Sequence, residues 1–208
     1  MSVNLWARPE HALDYLRDRV GTVPHRGEGE AALLEWVPAN CRRFLDLGTG
    51  DGRLLAIVKQ RVPEAQAVGL DFSPTMLERA RARFGEDGAT LVAHNMDHPL
   101  PDLGKFDAVV SSFAIHHLEH ERKRALYAEV FKALNPGGVF CNFEHVASPT
   151  ERLHQEFLRE LGQTPETEDP SNKLLALETQ LQWLQDIGFI DVDCHWKWRE
   201  LALLVGRV

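Results

Sequence analysis

The feature that most constrains this chain of 208 residues is a glycine-rich stretch directly after an aliphatic run. Residues 44–55 read FLDLGTGDGRLL, so glycine occupies the alternate positions Gly48, Gly50 and Gly52. Glycine inside regular structure costs backbone entropy, so its repeated use indicates that side chains are excluded there. We expect Gly48 and Gly50 to let the backbone approach a ligand, and Gly52 to let a helix begin close to a sheet.

Short aliphatic runs alternate with amphipathic stretches along most of the chain, as in a parallel sheet covered by helices. Strands are predicted at 42–47, 66–71, 89–94, 106–112 and 137–146, and helices at 9–20, 30–36, 52–61, 74–85 and 121–134. After the fifth strand, two helices are predicted, at 148–161 from a capping box that begins at Ser148 and at 171–187, and then an antiparallel hairpin. The sequence therefore predicts an α/β fold, a Rossmann-like three-layer sandwich with a seven-stranded, mostly parallel sheet.

Composition narrows the classes of function. The net charge of −8 weighs against broad binding to nucleic acid phosphates. No apolar run approaches the roughly 20 residues that cross a bilayer, and the N-terminus lacks the layout of a signal peptide. Cys41, Cys141 and Cys194 are far apart, which favours reduced thiols. We therefore expect a cytoplasmic protein that does not bind membranes.

The glycine spacing separates two nucleotide-binding motifs. A dinucleotide fingerprint needs glycine at its sixth position, where this chain has Arg53. The run GTGDG after Asp46 instead resembles motif I of the class I S-adenosylmethionine-dependent methyltransferases. The resemblance extends over about residues 40–146: Asp71 ends the second strand in GLDFSP, SSFAIHHL follows the fourth strand, and LNPGG precedes the fifth.

The resemblance implies that S-adenosylmethionine is the cofactor. Asp71 would accept hydrogen bonds from both ribose hydroxyls, since a carboxylate offers two acceptor oxygens to a diol. Asn95 or Asp97 would contact the adenine amino group: the register favours Asn95, whereas an aspartate is commoner in the family. The implied cofactor-binding residues are Asp46, Gly48, Thr49, Gly50, Asp71, Phe72, Met76, Asn95, Met96, Asp97, Ser111, Ser112 and Phe113. Arg26 is a further candidate, because a guanidinium pairs with a carboxylate, although a solvated arginine is the commoner case for such a residue.

His116 and His117 are the candidate catalytic residues, because histidine can accept a proton near neutral pH. Adjacent side chains do not line the same face, so only one is expected to reach an acceptor, and both could instead serve the structure of the loop. Glu144 and His145 are weaker candidates. His116 and His120 could share a zinc ion, but no further ligand with defined spacing supports this, so we expect no metal.

The acceptor is expected to be a small molecule, because SSFA lacks the prolines of DNA-methylating relatives. A tRNA nucleoside, a carboxylated cofactor and a cofactor-binding protein without turnover remain alternatives, and Ser111-Ser112 disfavours an aminopropyl transferase. The oligomeric state is not predicted. We expect a single domain with four parts: an N-terminal helical cover (1–40), a cofactor-binding core (41–146), a helical lid (147–188) and a terminal hairpin (189–208).

Overall fold

The computed structural model describes residues 9–10, 23–85 and 88–208. The predicted helix at 9–20 falls outside these residues except at its first two positions. The described strands form one sheet in the order β3-β2-β1-β4-β5-β7-β6. They are β1 (Arg43–Leu47), β2 (Gln66–Asp71), β3 (Thr90–Ala93), β4 (Phe106–Ser112), β5 (Leu134–His145), β6 (Ile190–Trp198) and β7 (Leu201–Arg207).

Strands β1 to β5 pair in parallel, and β7 pairs antiparallel with both β5 and β6. Six strands therefore run in one direction and β7 runs against them, which confirms the predicted mostly parallel sheet with a terminal hairpin. The helices that cover the sheet are α1 (Arg26–Trp36), α2 (Arg53–Arg61), α3 (Pro74–Phe84), α4 (His120–Ala133), α5 (Glu151–Glu160) and α6 (Leu177–Ile187). A short 3₁₀ turn covers Ile115–His117.

The core lies on both faces of the sheet. Successive strand residues point to opposite faces, so Leu45 packs with Leu126 of α4 and Leu184 of α6, whereas Phe44 belongs to a second buried cluster with Leu33 of α1. This is the predicted three-layer sandwich. The strand order reverses between β1 and β4, and in open α/β sheets the crevice beyond the carboxyl ends at such a point holds ligands.

Two predicted helix starts are wrong after β5. The second helix begins at Leu177 rather than at residue 171, because Lys173, Leu175 and Ala176 pair with other segments instead. The Lys173 amide donates to the His116 carbonyl at 2.8 Å, and the Ala147 amide donates to Leu175 at 3.0 Å. Helix α5 begins at Glu151, and its N-cap is Thr150 rather than Ser148.

The predicted helix at 30–36 also begins earlier, at Arg26. His25 precedes it in the left-handed region, with φ of 57°. The Gly29 amide donates to the His25 carbonyl at 3.1 Å, so the helical hydrogen bonds start four residues before the apolar run. The early start places Arg26 at the site described next.

Candidate functional site

The glycine-rich loop joins β1 to α2 and is held by β2. The Thr49 amide donates to the Leu70 carbonyl at 2.8 Å, and the Gly50 amide donates to Oδ2 of Asp71 at 2.9 Å. Gly50 has a φ of +56°, which disfavours any residue with a side chain. A Cβ placed on Gly50 would meet no described atom within 4 Å, so this backbone faces open space.

The other two glycines serve packing within the protein, which corrects part of the prediction. A Cβ on Gly48 would overlap the Cβ of Ala114 in the loop after β4. A Cβ on Gly52 would lie 2.6 Å from Cε2 of Phe84, so Gly52 makes room for α3 rather than for the sheet. Only Gly50 of these three therefore has open space beside its backbone, while Gly48 and Gly52 bring protein segments together.

Asp71 is oriented by two backbone amides at the end of β2. Its Oδ2 accepts from Gly50, and its Oδ1 accepts from the Ser73 amide at 2.8 Å. Burial raises the pKa of Asp71, and these amide bonds counteract part of that rise. Each carboxylate oxygen has two lone-pair directions, so each can accept a further hydrogen bond.

Asp46 is buried at the end of β1, with 1% of its surface exposed. Its Oδ2 accepts from the Thr49 hydroxyl at 2.7 Å, and its Oδ1 has no hydrogen-bond partner among the described residues. Burial raises the pKa of Asp46 to about 7. A buried acceptor without a donor is costly, so Oδ1 is available to a cationic or hydrogen-bonding ligand.

Arg26 and Arg53 share one buried carboxylate, that of Glu30, which is 3% exposed. Glu30 accepts from Nε of Arg26 at 2.9 Å and from Nε and Nη2 of Arg53 at 3.0 and 2.7 Å. Nη1 of Arg26 is buried and has no hydrogen-bond partner in the described part of the chain. The Arg26 side chain is therefore held inside the protein, with 11% of its surface exposed, and the prediction of a solvated Arg26 is wrong.

These residues line one cleft of about 990 Å³, counting the part that is open to solvent. The cleft collects most of the predicted site: Arg26, Asp46, Gly48, Thr49, Gly50, Asp71, Phe72, Met76, Asn95, Met96, Asp97, Ser112, Phe113 and His117. Six further residues line the cleft that were not predicted from the sequence: Asp51, Arg53, Leu54, His94, Ala114 and Leu118. Of these, Arg53 had a visible signal, because it replaces the glycine of a dinucleotide fingerprint at the start of α2.

Ser111 does not line the cleft, so its prediction as a cofactor contact is wrong. It is fully buried, and its hydroxyl donates to the Leu47 carbonyl at 2.9 Å. Ser112, its neighbour on β4, lines the cleft instead. The alternation of side chains along a strand allows only one of the two to face that side.

The two predicted histidines, His116 and His117, also lie in different surroundings. His116 is 6% exposed, and its Nδ1 lies 2.6 Å from Oε1 of the buried Glu144. Burial lowers the pKa of His116 and raises the pKa of Glu144. Both side chains are buried and neither lines the cleft, so the pair is a buried polar contact outside it. The prediction of His116 as a residue that reaches an acceptor is therefore wrong, whereas His117 lines the cleft.

His117 lies with its ring 4.0 Å from the ring of His116, and its Nδ1 is 2.9 Å from the Ser171 hydroxyl oxygen. Burial and the neighbouring His116 hold the pKa of His117 well below its ordinary value. Both effects favour the neutral form of the imidazole over the charged one.

Asn95 and Asp97 occupy one turn at the edge of the cleft. Oδ1 of Asn95 accepts from the Asp97 amide at 2.9 Å, and its Nδ2 donates to Oδ2 of Asp97 at 3.2 Å. The two alternatives for an adenine contact are thus tied together, with Met96 buried between them.

Within residues 9–10, 23–85 and 88–208, no group of three or more His, Cys, Asp or Glu side chains is arranged to hold a metal ion. Every helix in these ranges is too short or too polar to cross a bilayer.

Part of this chain is similar in sequence to known methyltransferases. Residues 44–138 match the model of a methyltransferase domain. A demethylmenaquinone methyltransferase of Thermus thermophilus is 40% identical over 111 residues, which are 52% of this chain and 49% of that protein. Over this segment the chain is similar to methyltransferases. The matched segment contains the glycine loop, Asp71 and both histidines, but not residues 147–188.

Other proteins that are similar to this chain carry different names. A trans-aconitate 2-methyltransferase of Methylobacterium radiotolerans is 36% identical over 132 residues, which are 59% of this chain and 46% of that protein. The chain spans about half the length of these curated relatives.

The fold is similar to solved methyltransferase structures. An O-methyltransferase family protein from Burkholderia thailandensis superposes with a TM-score of 0.76 at 19% identity, covering 97% of this chain and 61% of that one. Human N-acetylserotonin methyltransferase in complex with S-adenosylmethionine gives a TM-score of 0.70 at 16% identity, covering 98% of this chain and 57% of that one. At these identities the likeness shows the fold alone.

Proposed function

We propose that this chain binds S-adenosylmethionine in the cleft and transfers the methyl group to a small-molecule acceptor. The observation that carries the proposal is the pairing of Asp71 with the Gly50 amide, which combines an oriented carboxylate with bare backbone in one crevice. When bound, the cofactor supplies a methyl group on a positively charged sulfur, already activated for displacement.

The charges of the cleft fit the amino-acid end of this cofactor. An ammonium group needs an acceptor, and Oδ1 of Asp46 lacks a donor among the described residues. A carboxylate needs a donor, and Nη1 of Arg26 likewise lacks an acceptor in that part of the chain. The cleft therefore offers one group of each sign, at sites where an unmatched polar atom is costly.

Asp71 would hold the ribose, since its two oxygens keep acceptor capacity after binding two amides. Phe72 and Met76 would flank the adenine, with Met96 nearby, and Asn95 or Asp97 would accept from its amino group. These roles follow from the family resemblance and from the position of each residue in the cleft.

His117 would face the acceptor and take its proton where the acceptor must lose one. Methyl transfer otherwise needs mainly orientation and exclusion of water. We also propose that residues 41–146 form the cofactor-binding core and that residues 147–188 form a lid over the acceptor. The net charge of −8 favours a small acceptor over nucleic acid, and the buried free thiols of Cys41 and Cys141 favour the cytoplasm.

Calorimetric titration with S-adenosylhomocysteine, the demethylated product of the cofactor, tests this function. Asp71→Ala should weaken binding by about 100-fold, because it removes two charge-assisted hydrogen bonds worth about 1.5 kcal/mol each. Asp107→Ala is a matched control, since Asp107 also accepts two backbone amides, those of Arg42 and Arg43, but lies at the other end of the sheet.

The control variant should bind the product as the wild type does. Absence of binding to the wild-type chain would overturn the proposed function, and equal losses in the two variants would show that Asp71 acts only on the fold.

A further inference from the structure

We infer that Phe113 is a positioning residue for Arg26, and that the two together select ligands with a carboxylate at the amino-acid end. The inference rests on the proposed binding of S-adenosylmethionine and adds to it the way in which that end is recognised. It predicts that the cleft discriminates against a ligand that is identical except for the loss of this carboxylate.

The backbone of Phe113 has an unusual conformation. Phe113 directly follows β4 and has a φ of +53°, in the left-handed region that bulky side chains rarely adopt. Such strain persists only where surrounding contacts impose it, and it is concentrated at ligand sites. The Phe113 amide donates to the Phe143 carbonyl at 2.9 Å, and the centroids of the two rings are 4.6 Å apart. Strand β5 therefore fixes both the backbone and the ring of Phe113.

The guanidinium group of Arg26 lies over the Phe113 ring. Its Cζ is 5.4 Å from the ring centroid, within the range of a cation–π contact. Nε of Arg26 donates to Oε1 of Glu30 at 2.9 Å, so the ring and the carboxylate contact the same guanidinium. The Arg26 side chain is only 11% exposed, and a cation–π contact is stronger where water is excluded. Two contacts therefore fix the orientation of this planar group.

Helix α1 brings Arg26 to this ring by packing on the same aromatic pair. Arg26 is the first residue of α1, and a Cβ placed on Gly29, about one turn later, would overlap the ring of Phe143. Helix α1 thus lies directly against Phe143, whose ring contacts that of Phe113. The guanidinium and the Phe113 ring are therefore held together by contacts among α1, β5 and the loop after β4.

The fixed guanidinium retains one nitrogen for a ligand. Nη1 of Arg26 is buried and makes no hydrogen bond to the described residues, and Arg26 and Phe113 both line the cleft. A buried donor without an acceptor is costly, and a carboxylate on a bound ligand would remove that cost. Hydrogen bonds between guanidinium and carboxylate groups depend on geometry. The effect of Phe113 that passes through Arg26 is therefore expected only for a ligand with a carboxylate.

The test is calorimetric titration with two probes, S-adenosylhomocysteine and its decarboxylated analogue, which keeps the amino group. The wild type should bind the first probe about tenfold more tightly. Phe113→Leu keeps an apolar side chain on the same strained backbone but removes the aromatic face. It should bind the first probe about fivefold more weakly and the second within about twofold of the wild type. Phe113→Tyr keeps the aromatic face and should keep the wild-type ratio of the two affinities.

A double-mutant cycle distinguishes action through Arg26 from direct contact with the ligand. Arg26→Ala should reduce the ratio of the two affinities to about twofold, because the donor to the carboxylate is gone. Adding Phe113→Leu to Arg26→Ala should change this ratio no further, since the residue that Phe113 positions is absent.

An unchanged ratio in Phe113→Leu would overturn the inference, and so would equal losses for the two probes, which would show that Phe113 serves the cleft as a whole. A further fall of the ratio in the double variant would overturn the action through Arg26, and a fall in Phe113→Tyr would overturn the part assigned to the aromatic face. Equal binding of both probes by the wild type would overturn the inference but leave the proposed cofactor binding intact. Absence of binding of both probes to the wild type would instead overturn the proposed function.

Discussion

The two sides of the cleft are built in different ways. On the proposed cofactor side, backbone amides of Gly50 and Ser73 bind Asp71, and all three residues lie at the ends of adjacent parallel strands. On the proposed acceptor side, His117 meets Ser171 through side chains that are 54 positions apart in sequence. The first side is fixed by strand pairing, whereas the second depends on how a long loop returns to the sheet.

We expect the largest loss of stability from a substitution at Gly48, in the glycine-rich loop. Gly48→Ala should cost about 3 kcal/mol of unfolding free energy, since it combines a positive φ with overlap against Ala114. Gly50→Ala should cost about 1 kcal/mol, for the φ alone, because its Cβ meets no described atom within 4 Å. Chemical denaturation measures both values.

Titration of the same two variants with S-adenosylhomocysteine sharpens the contrast. Gly50→Ala should lose about tenfold in affinity, because its methyl group would occupy the cleft. Equal stability costs for the two variants, or full affinity in Gly50→Ala, would contradict the separate roles given to these glycines.

A smaller effect on binding is expected from the charge of Asp46. Burial raises the pKa of Asp46 to about 7, so the affinity of the wild type for S-adenosylhomocysteine should fall as the pH goes from about 8 to about 6. Asp46→Asn should bind about tenfold more weakly at about pH 8 and show less of this dependence. Calorimetry across this range measures it, and an equally steep dependence in the variant would assign the effect to another group.

The raised pKa of Asp46 also affects how the stability of the fold depends on pH. A carboxyl group whose pKa is raised on folding stabilises the fold fully below its unfolded pKa of about 4, and this contribution is lost as the pH rises through about 7. At about pH 8 the unliganded Asp46→Asn chain should therefore melt about 2–4 °C above the wild type. A lower melting temperature there would contradict the cost assigned to the buried carboxylate.

The smallest effect concerns the acceptor side. The buried Lys123 donates from Nζ to the Lys173 carbonyl. Lys123→Met should cost about 1 kcal/mol and raise hydrogen exchange at the Lys173 amide about fivefold. Lys105→Met removes a similar bond, to the Lys132 carbonyl, and should leave that exchange unchanged. Equal exchange rates in the two variants would show that Lys123 does not hold the loop.

The difference between the two sides of the cleft also explains which features could be predicted from the sequence. The glycine loop, Asp71 and the sheet follow from local patterns, because parallel strands bring their carboxyl ends together. The purpose of Gly48 and Gly52 could not be predicted, since it depends on Ala114 and Phe84, which come close only after the chain folds.

The remaining errors have similar causes. Ser111 and Ser112 are equivalent in sequence, and only the register of β4 against Leu47 decides which one faces the cleft. The helix predicted from residue 171 has helical composition, yet several of its first six residues bond to other segments, as Lys173 does to His116. Tertiary hydrogen bonds outweigh a weak local preference there.

The most direct test of the central claim is a crystal structure of the chain with S-adenosylhomocysteine. The account predicts that both ribose hydroxyls lie within hydrogen-bonding distance of Asp71, with the amino-acid end between Asp46 and Arg26. A product molecule bound elsewhere, or a ribose that makes no contact with Asp71, would contradict it.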